Sequence, residues 1–450
     1  MKKFLPFVLI FILSLPAAWF LFGPGYFSMH DDLQVMRIFQ LEKCLVDGQI
    51  PCRWAPDMGW GYGQAMFNFY SASPYYLGAL VRILTPLSII DTVKFLFLIS
   101  LIGAAFGMYL LARQFFGDLG GLLSAIFYTY APYHALDIFV RGALSESFAL
   151  AILPFLWLSL YLLIKKPTFA RISATAISIG ALLTTHNIST LIYAPFTILW
   201  IIFWMARFRD WKSITIVAIS GFWGLGLSAF FLLPVIFEQR LIQTEFLTMD
   251  YLNYEAHFVT IRQLFLDRSW GHGPSIFGPE DTLSFQIGWP HWWVSILLFF
   301  VAIFWFRKKE KRWLAILLLL LLGAGGFSAF LTHLRSILIW QALDPFIKFV
   351  QFPWRFLGLV IFFLSFAAGF LAKISLRLKQ LFVVVLVFLA ILLNFGYFKP
   401  QYFFPTLTDE KKLSGVDFEI HQKSAILDYL PKTAVTPPKA SAPSEPEIVQ

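Results

Sequence analysis

The sequence predicts an all-α membrane protein of about eleven transmembrane helices, with outer loops that carry interfacial helices. Three observations lead there. Only 14% of the 450 residues are charged, against about 25% in soluble domains. Hydrophobic residues make up 58% of the chain and gather in runs near the roughly 20 residues that a spanning helix needs. Aromatic residues reach 19%, with 52 Phe and 16 Trp, a composition suited to a lipid-facing surface and its interfacial belts. The net charge of +9 does not indicate nucleic acid, because the basic residues sit in short clusters between apolar runs and line no single surface.

The first run, Phe4 to Phe22, follows Met1-Lys2-Lys3. It is longer than a signal-peptide core of about 7–15 residues and no small-x-small site follows, so it reads as a retained span. The other spans are expected near 94–111, 118–137, 147–164, 172–188, 189–206, 213–236, 291–306, 313–331, 355–372 and 381–398. The stretch 75–90 is shorter and contains Arg82 and Pro86, which predicts an interfacial or re-entrant helix. With the N-terminus inside, the short turns hold Arg113, Lys165-Lys166, Arg171, Arg207, Arg209, Lys212, Arg307 to Arg312 and Lys373, Arg377 and Lys379, against only Asp118, Asp210 and Glu310. That is the positive-inside pattern. An odd number of spans then puts the C-terminus outside. The polytopic domain covers 1–398, with long outer loops at about 23–93, 238–290 and 332–354. An outer C-terminal segment follows at 399–432. The Pro/Ser/Ala-rich stretch 433–450 reads as a disordered tail. Cys44 and Cys52 share the first outer loop, either as a disulfide, which an oxidising compartment permits, or as two thiols.

The first outer loop opens with Ser28-Met29-His30-Asp31-Asp32-Leu33. Adjacent carboxylates repel one another and persist where they bind a cation, share a proton or act as a general base. The plainer reading is a solvated pair at the end of a span. Arg53, Trp54, Tyr62 and Tyr70 follow in a Gly/Pro-rich stretch. Its aromatics either stack on a sugar face or anchor the loop at lipid headgroups. Between the third and fourth spans lie Asp137, Arg141 and Glu146. Asp137 and Arg141 are spaced for a structural pair; alternatively Glu146 faces Asp31 and Asp32 while Arg141 receives an anionic group. His186-Asn187 ends the fifth span, and Arg355 opens the tenth as a snorkelling anchor or a phosphate contact. Neither a phosphate-binding Gly-Lys loop, nor a His-Glu-x-x-His zinc motif, nor a Gly-x-Ser-x-Gly elbow occurs, which leaves ATP-driven transport and serine hydrolysis without support.

One span followed by a long outer loop that opens on an acidic pair resembles the GT-C superfamily of membrane glycosyltransferases. In detail, Asp31-Asp32, Pro51-x-Arg53-Trp54-x-Pro56, Gly61-Tyr62-Gly63, Phe67-x-Phe69-Tyr70, Arg141-Gly142-Ala143-Leu144-x-Glu146, His186-Asn187 and Gln351-Phe352-Pro353-Trp354-Arg355-Phe356 resemble the bacterial 6-pyruvoyl-tetrahydropterin synthase-related membrane proteins. That family name is not an activity here, because pterin synthase chemistry uses a histidine-bound zinc that this sequence does not supply. The resemblance implies a plasma-membrane enzyme that moves a sugar from a polyprenyl-phosphate carrier to an acceptor on the outer face. It implies Asp31 or Asp32 as general base, or Asp31, Asp32 and Glu146 around a divalent cation such as Mg or Mn. It gives Arg53, Arg141 and Arg355 to the leaving phosphate, with Trp54, Tyr62, Tyr70, His186 and Asn187 as further substrate contacts. The competing readings are a transporter or flippase of a lipid-linked or anionic substrate, and a non-catalytic membrane assembly subunit.

Overall fold

In the computed structural model, which describes residues 4–374, 377–434 and 436–443, the chain is a bundle of apolar helices. The basic N-terminus (1–3) and part of the tail (435 and 444–450) lie outside the described residues. Among the described residues, eight helices are long and apolar enough to cross a membrane: Leu5–Phe22, Ile89–Thr129, Leu144–Lys165, Asn187–Phe208, Trp289–Phe306, Lys309–Leu331, Pro353–Lys373 and Lys379–Tyr397. A ninth arises if Ser213–Leu227 and Ala229–Leu241, bent by 76°, are taken as one broken span.

The count of eleven is therefore corrected to eight or nine, and each difference has a local cause. Expected span 94–111 and the first part of 118–137 fall in Ile89–Thr129, 41 residues made of two helices that meet at a kink, while the residues after Thr129 form the separate turns Pro132–Ala135 and Leu136–Arg141. At 1.5 Å per residue Ile89–Thr129 measures about 60 Å, twice the hydrocarbon thickness. It turns at Gly117, whose φ of 73° and ψ of −175° leave the helical region. The expected span at 172–188 is the apolar 17-residue helix Phe169–Thr185, at the lower end of the length that crosses a bilayer. The run 213–236 breaks at Ser228, and Pro234 follows inside its second half. The stretch 75–90 forms the helix Ser73–Leu84.

Burial orders the bundle. The apolar window of Pro353–Lys373 is 94% buried, whereas those of Leu5–Phe22 and Lys379–Tyr397 are 28% buried. A helix that is apolar all round and packed on every side forms a core; the other two present most of their surface outward. Ser88 caps Ile89–Thr129 by accepting from Asp91 N, 3.0 Å. The Asp409 carboxylate accepts from the free N–H groups of Ile89 and Ile90, at 2.7 and 3.0 Å. An acid there satisfies donors the helix cannot and complements its dipole.

The long loops meet at one end. Tyr26–Phe27 pairs antiparallel with Phe403–Phe404. Trp60 N donates to Gln422 O (3.1 Å), and Gln243 N to Leu430 O (2.9 Å). The His30 ring meets His272 O at 2.7 Å. The C-terminal segment thus crosses the first loop and reaches the second. Part of the tail joins it, since Ala442 N donates to Trp60 O, 2.8 Å. Cys44 and Cys52 form a disulfide.

Candidate functional site

The sequence just after Thr129 cannot continue the helix, because Pro132 lacks a donor. The chain turns through Pro132–Ala135 and a single π-helical turn, Leu136–Arg141, before Gly142 enters the left-handed region at φ 66°. Glycine reaches that conformation without strain. The turn carries Arg141 to the mouth of the next helix, Leu144–Lys165, whose first turn holds Glu146.

These side chains form a buried cluster. Glu146 is 3% exposed. Its Oε1 accepts from Tyr133 OH at 2.5 Å, and its Oε2 from Arg141 Nη1 at 2.8 Å. Arg141 also pairs with Asp137, so the structural pair and the Glu146 contact coexist. Arg355 Nε lies 3.6 Å from Glu146 Oε2. The Arg141 guanidinium stacks 4.5 Å over Trp354. Two carboxylates thus face two guanidiniums, the balance that charges need away from water.

The opening of the first loop is laid against this cluster by backbone bonds. His30 N donates to Val140 O (2.8 Å) and Asp31 N to Arg141 O (2.9 Å). Gln34 Nε2 donates to Gly142 O, 2.7 Å. Asp31 Oδ2 accepts from Arg37 Nη1 at 2.7 Å and from Gln34 Nε2 at 3.0 Å. Arg37 lies 4.4 Å over the Tyr70 ring, and Tyr75 OH donates to Gln34 Oε1 at 2.8 Å.

A cavity of about 940 Å³ joins the two groups. Of the residues named from the sequence, Asp31, Glu146, Tyr70, Arg141, His186, Asn187 and Arg355 line it. The rest do not. Asp32 turns away to an ion pair with Lys412, with His421 Nε2 at 3.8 Å. Arg53 donates to Asn68 Oδ1 (2.6 Å) and lines a separate groove beside Phe230 and Glu238. Trp54 and Tyr62 are exposed on the loop surface and line none of this cavity.

The carboxylates named for a divalent cation do not form a ligand set. Asp32 is outside the cavity, Asp31 is held by Arg37, and Glu146 is held by Arg141 and Tyr133. Among the described residues no group of three or more His, Cys, Asp or Glu side chains is arranged to hold a metal.

Sequence reasoning missed Tyr133 and Asp428. Arg37, five residues beyond Asp32, has Asp31 as its partner. The i, i+3 spacing of Gln34 and Arg37 put them on one helix face and was the available signal. Nothing local marked Asp428, which lines the cavity from the C-terminal segment beside Tyr429. Burial pushes its carboxyl up to about 6; Asp31 adds to the rise and Arg37 opposes it.

Residues 67–250 match the family described as 6-pyruvoyl-tetrahydropterin synthase related domain; membrane protein. An uncharacterized protein of Lactococcus lactis subsp. cremoris (strain MG1363) is 25% identical over 239 residues, covering 51% of this chain and 39% of that protein. The oligosaccharyltransferase of Archaeoglobus fulgidus, in complex with Zn and sulfate, superposes with a TM-score of 0.50 at 13% identity, over 88% of this chain and 53% of that one. ArnT from Cupriavidus metallidurans, bound to undecaprenyl phosphate, gives 0.47 at 13% identity, over 86% and 63%. The chain therefore spans less than two thirds of each of these proteins. At such identities the likeness concerns the fold alone, and the fold is similar to that of the oligosaccharyltransferase.

Proposed function

We propose that the chain is a membrane glycosyltransferase that moves a sugar from a polyprenyl-phosphate donor to an acceptor at the face bearing the long loops, which is the outer face of a bacterial plasma membrane. The observation that carries this reading is the single cavity shared by Asp31 and the Arg141–Arg355 pair. Asp31, a base for one reactant, and Arg141 and Arg355, cations for the other's leaving group, line the same cavity.

Transfer needs three things from the protein. Asp31 takes the proton of the acceptor hydroxyl as its oxygen bonds to the anomeric carbon. The bond from that carbon to the phosphate oxygen breaks, and the phosphate departs with the electron pair. Arg141 and Arg355 receive that anion, since fork-shaped guanidiniums bind phosphate through paired N–H groups. Glu146 and Tyr133 are positioning residues: they hold the Arg141 guanidinium in place. Apolar residues such as Val235, Ile242, Leu247 and Phe349 line the same cavity and suit the first units of a lipid chain. A positioned base contributes about 10²–10⁴-fold, and holding both reactants in line supplies the remainder.

The test uses membranes that hold the full chain, supplied with polyprenyl-phosphate sugars labelled in the sugar. Wild type moves label out of the lipid fraction, and Arg141→Gln slows this by about tenfold or more, the worth of one lost charge-assisted contact. Label that stays on the lipid with wild type across the sugars tried, or leaves it equally fast with Arg141→Gln, contradicts the reading.

A further inference from the structure

The cavity has one wall that comes from the far end of the chain. Residues 399–431 cross the first loop on a series of anchors: the Phe403–Phe404 pairing with Tyr26–Phe27, the Lys412–Asp32 ion pair, and Gln64 Nε2 donating to Ala425 O at 2.7 Å. Beyond Ala425 the segment lowers Asp428 and Tyr429 into the cavity. Tyr429 stacks on Phe69, with centroids 5.6 Å apart and planes at 21°.

The carboxylates of the cavity differ in their company. Asp31 is paired with Arg37, and Glu146 with Arg141. Asp428 has no ion-pair partner among the described residues. Arg37, the cation it feels, already donates to Asp31. A carboxylate without a cation, next to a tyrosine ring, has acceptor capacity to spare and repels a second anion. It stands on the Asp31 side, away from the phosphate-binding arginines.

We propose that Asp428 selects the acceptor: it admits molecules presenting hydroxyl or ammonium donors to the Asp31 side of the cavity and turns away anionic ones. This rests on the reading that Asp31 faces the acceptor. The acceptor class it names is a neutral or amino-bearing saccharide, its hydroxyls or ammonium donating to Asp428 and its ring face meeting Tyr70 and Tyr429. Discrimination of this kind comes from a repulsive element as much as from an attractive one.

The test measures binding of three probes to the full chain in lipid nanodiscs by saturation-transfer NMR: methyl glucoside, methyl glucosaminide and methyl glucuronide. Wild type binds the first two at least about tenfold more tightly than the glucuronide, the scale of one unfavourable charge contact. A lead for the glucosaminide assigns the contact to an ammonium, and equal binding of the first two assigns it to hydroxyls. Asp428→Asn brings the glucuronide to within about threefold of the others, and Asp428→Glu restores the gap. Farnesyl phosphate, which addresses Arg141 and Arg355, reports whether the cavity is intact in each variant. A ranking unchanged in an Asp428→Asn protein with an intact cavity overturns the proposal, as does a wild type that binds the glucuronide best or binds none of the three. Sugar transfer is not read here. A chain that shows this ranking and transfers nothing contradicts the enzymatic reading alone, and one that transfers with the ranking insensitive to Asp428→Asn contradicts the selectivity alone.

Discussion

Asp31 and Asp32 are neighbours with different fates, and the reason lies in their partners. Backbone bonds to Val140 and Arg141 fix the segment, Arg37 and Gln34 hold the Asp31 carboxylate at the cavity, and Lys412 draws Asp32 to the C-terminal segment. Sequence alone marked the pair but could not divide it, because Lys412 lies 380 residues away. The same holds for Arg53, Trp54 and Tyr62. Their residue types suited a phosphate and a sugar, yet the loop that carries them folds against Phe230 and the 422–442 region, and they end up outside the cavity. Asp137, Arg141, Glu146 and Arg355 were legible because charge between apolar runs is costly unless it is paired. Removing Glu146 leaves two buried guanidiniums facing Asp137 alone. Glu146→Gln is therefore expected to lower the thermal midpoint and folded yield by detergent gel filtration, on the scale of about 3–5 kcal/mol for breaking a buried pair. Asp428 gives a pH-dependent outcome. Its carboxyl titrates at about 6, above its ordinary value near 3.9, so the folded state binds the proton more tightly. The stability this contributes is present at low pH and is lost as the pH rises through about 6. Asn mimics the protonated form. Asp428→Asn should match wild type in thermal midpoint only below about pH 3.5, gain on it as the pH rises from about 4 to about 6, and exceed it by a constant margin at pH 7.5. Asp281, also raised to about 6 by burial, is common to both proteins and cancels in the difference.

Element by element, apolar runs located the helices well and their ends poorly. Hydropathy does not register a backbone turn: the kink at Gly117 lies between two of the expected helices, and Ser228 divides another. The π-helical turn at Leu136–Arg141 left no mark in the residue pattern, although it is what aims Arg141 at the cavity. The two left-handed glycines allow a comparison. A Cβ at Gly117 meets nothing within 4 Å, whereas one at Gly142 would stand 2.3 Å from Met29 Sδ. Gly117→Ala is expected to cost about 1–3 kcal/mol of backbone strain, because φ 73° with ψ −175° is a region essentially reserved for glycine. Gly142→Ala adds a clash at the segment that holds His30 and Asp31. Thermal midpoints should fall further for Gly142→Ala, and only that variant should lose farnesyl phosphate binding. Equal losses would show that the contact at Met29 carries no constraint.

Across the whole molecule, the loops gather at one end and the short basic turns at the other, where Arg207 lies 5.2 Å over Trp313. The positive-inside pattern puts the basic turns inside, and the helix Trp289–Phe306 lies between Glu280 and Arg312. Reporters inserted after Glu280 and after Arg312 should accordingly lie on opposite sides of the membrane. What composition could not reveal is that the C-terminal segment closes one wall of the cavity, since that depends on contacts between the first and last tenths of the chain. Its anchors at Tyr26–Phe27 and Asp32 belong to the first loop, and Asp428 and Tyr429 reach the cavity as a consequence. The division of labour between the two adjacent aspartates is then a property of the fold as a whole, and it supplies the sharpest test. Sugar release from labelled polyprenyl-phosphate donors should be measured side by side in membranes holding Asp31→Asn and Asp32→Asn. The account predicts a loss of about 10²-fold or more for Asp31→Asn, the worth of a general base, with Asp32→Asn within about tenfold of wild type. Equal losses, or a greater loss for Asp32→Asn, would contradict it.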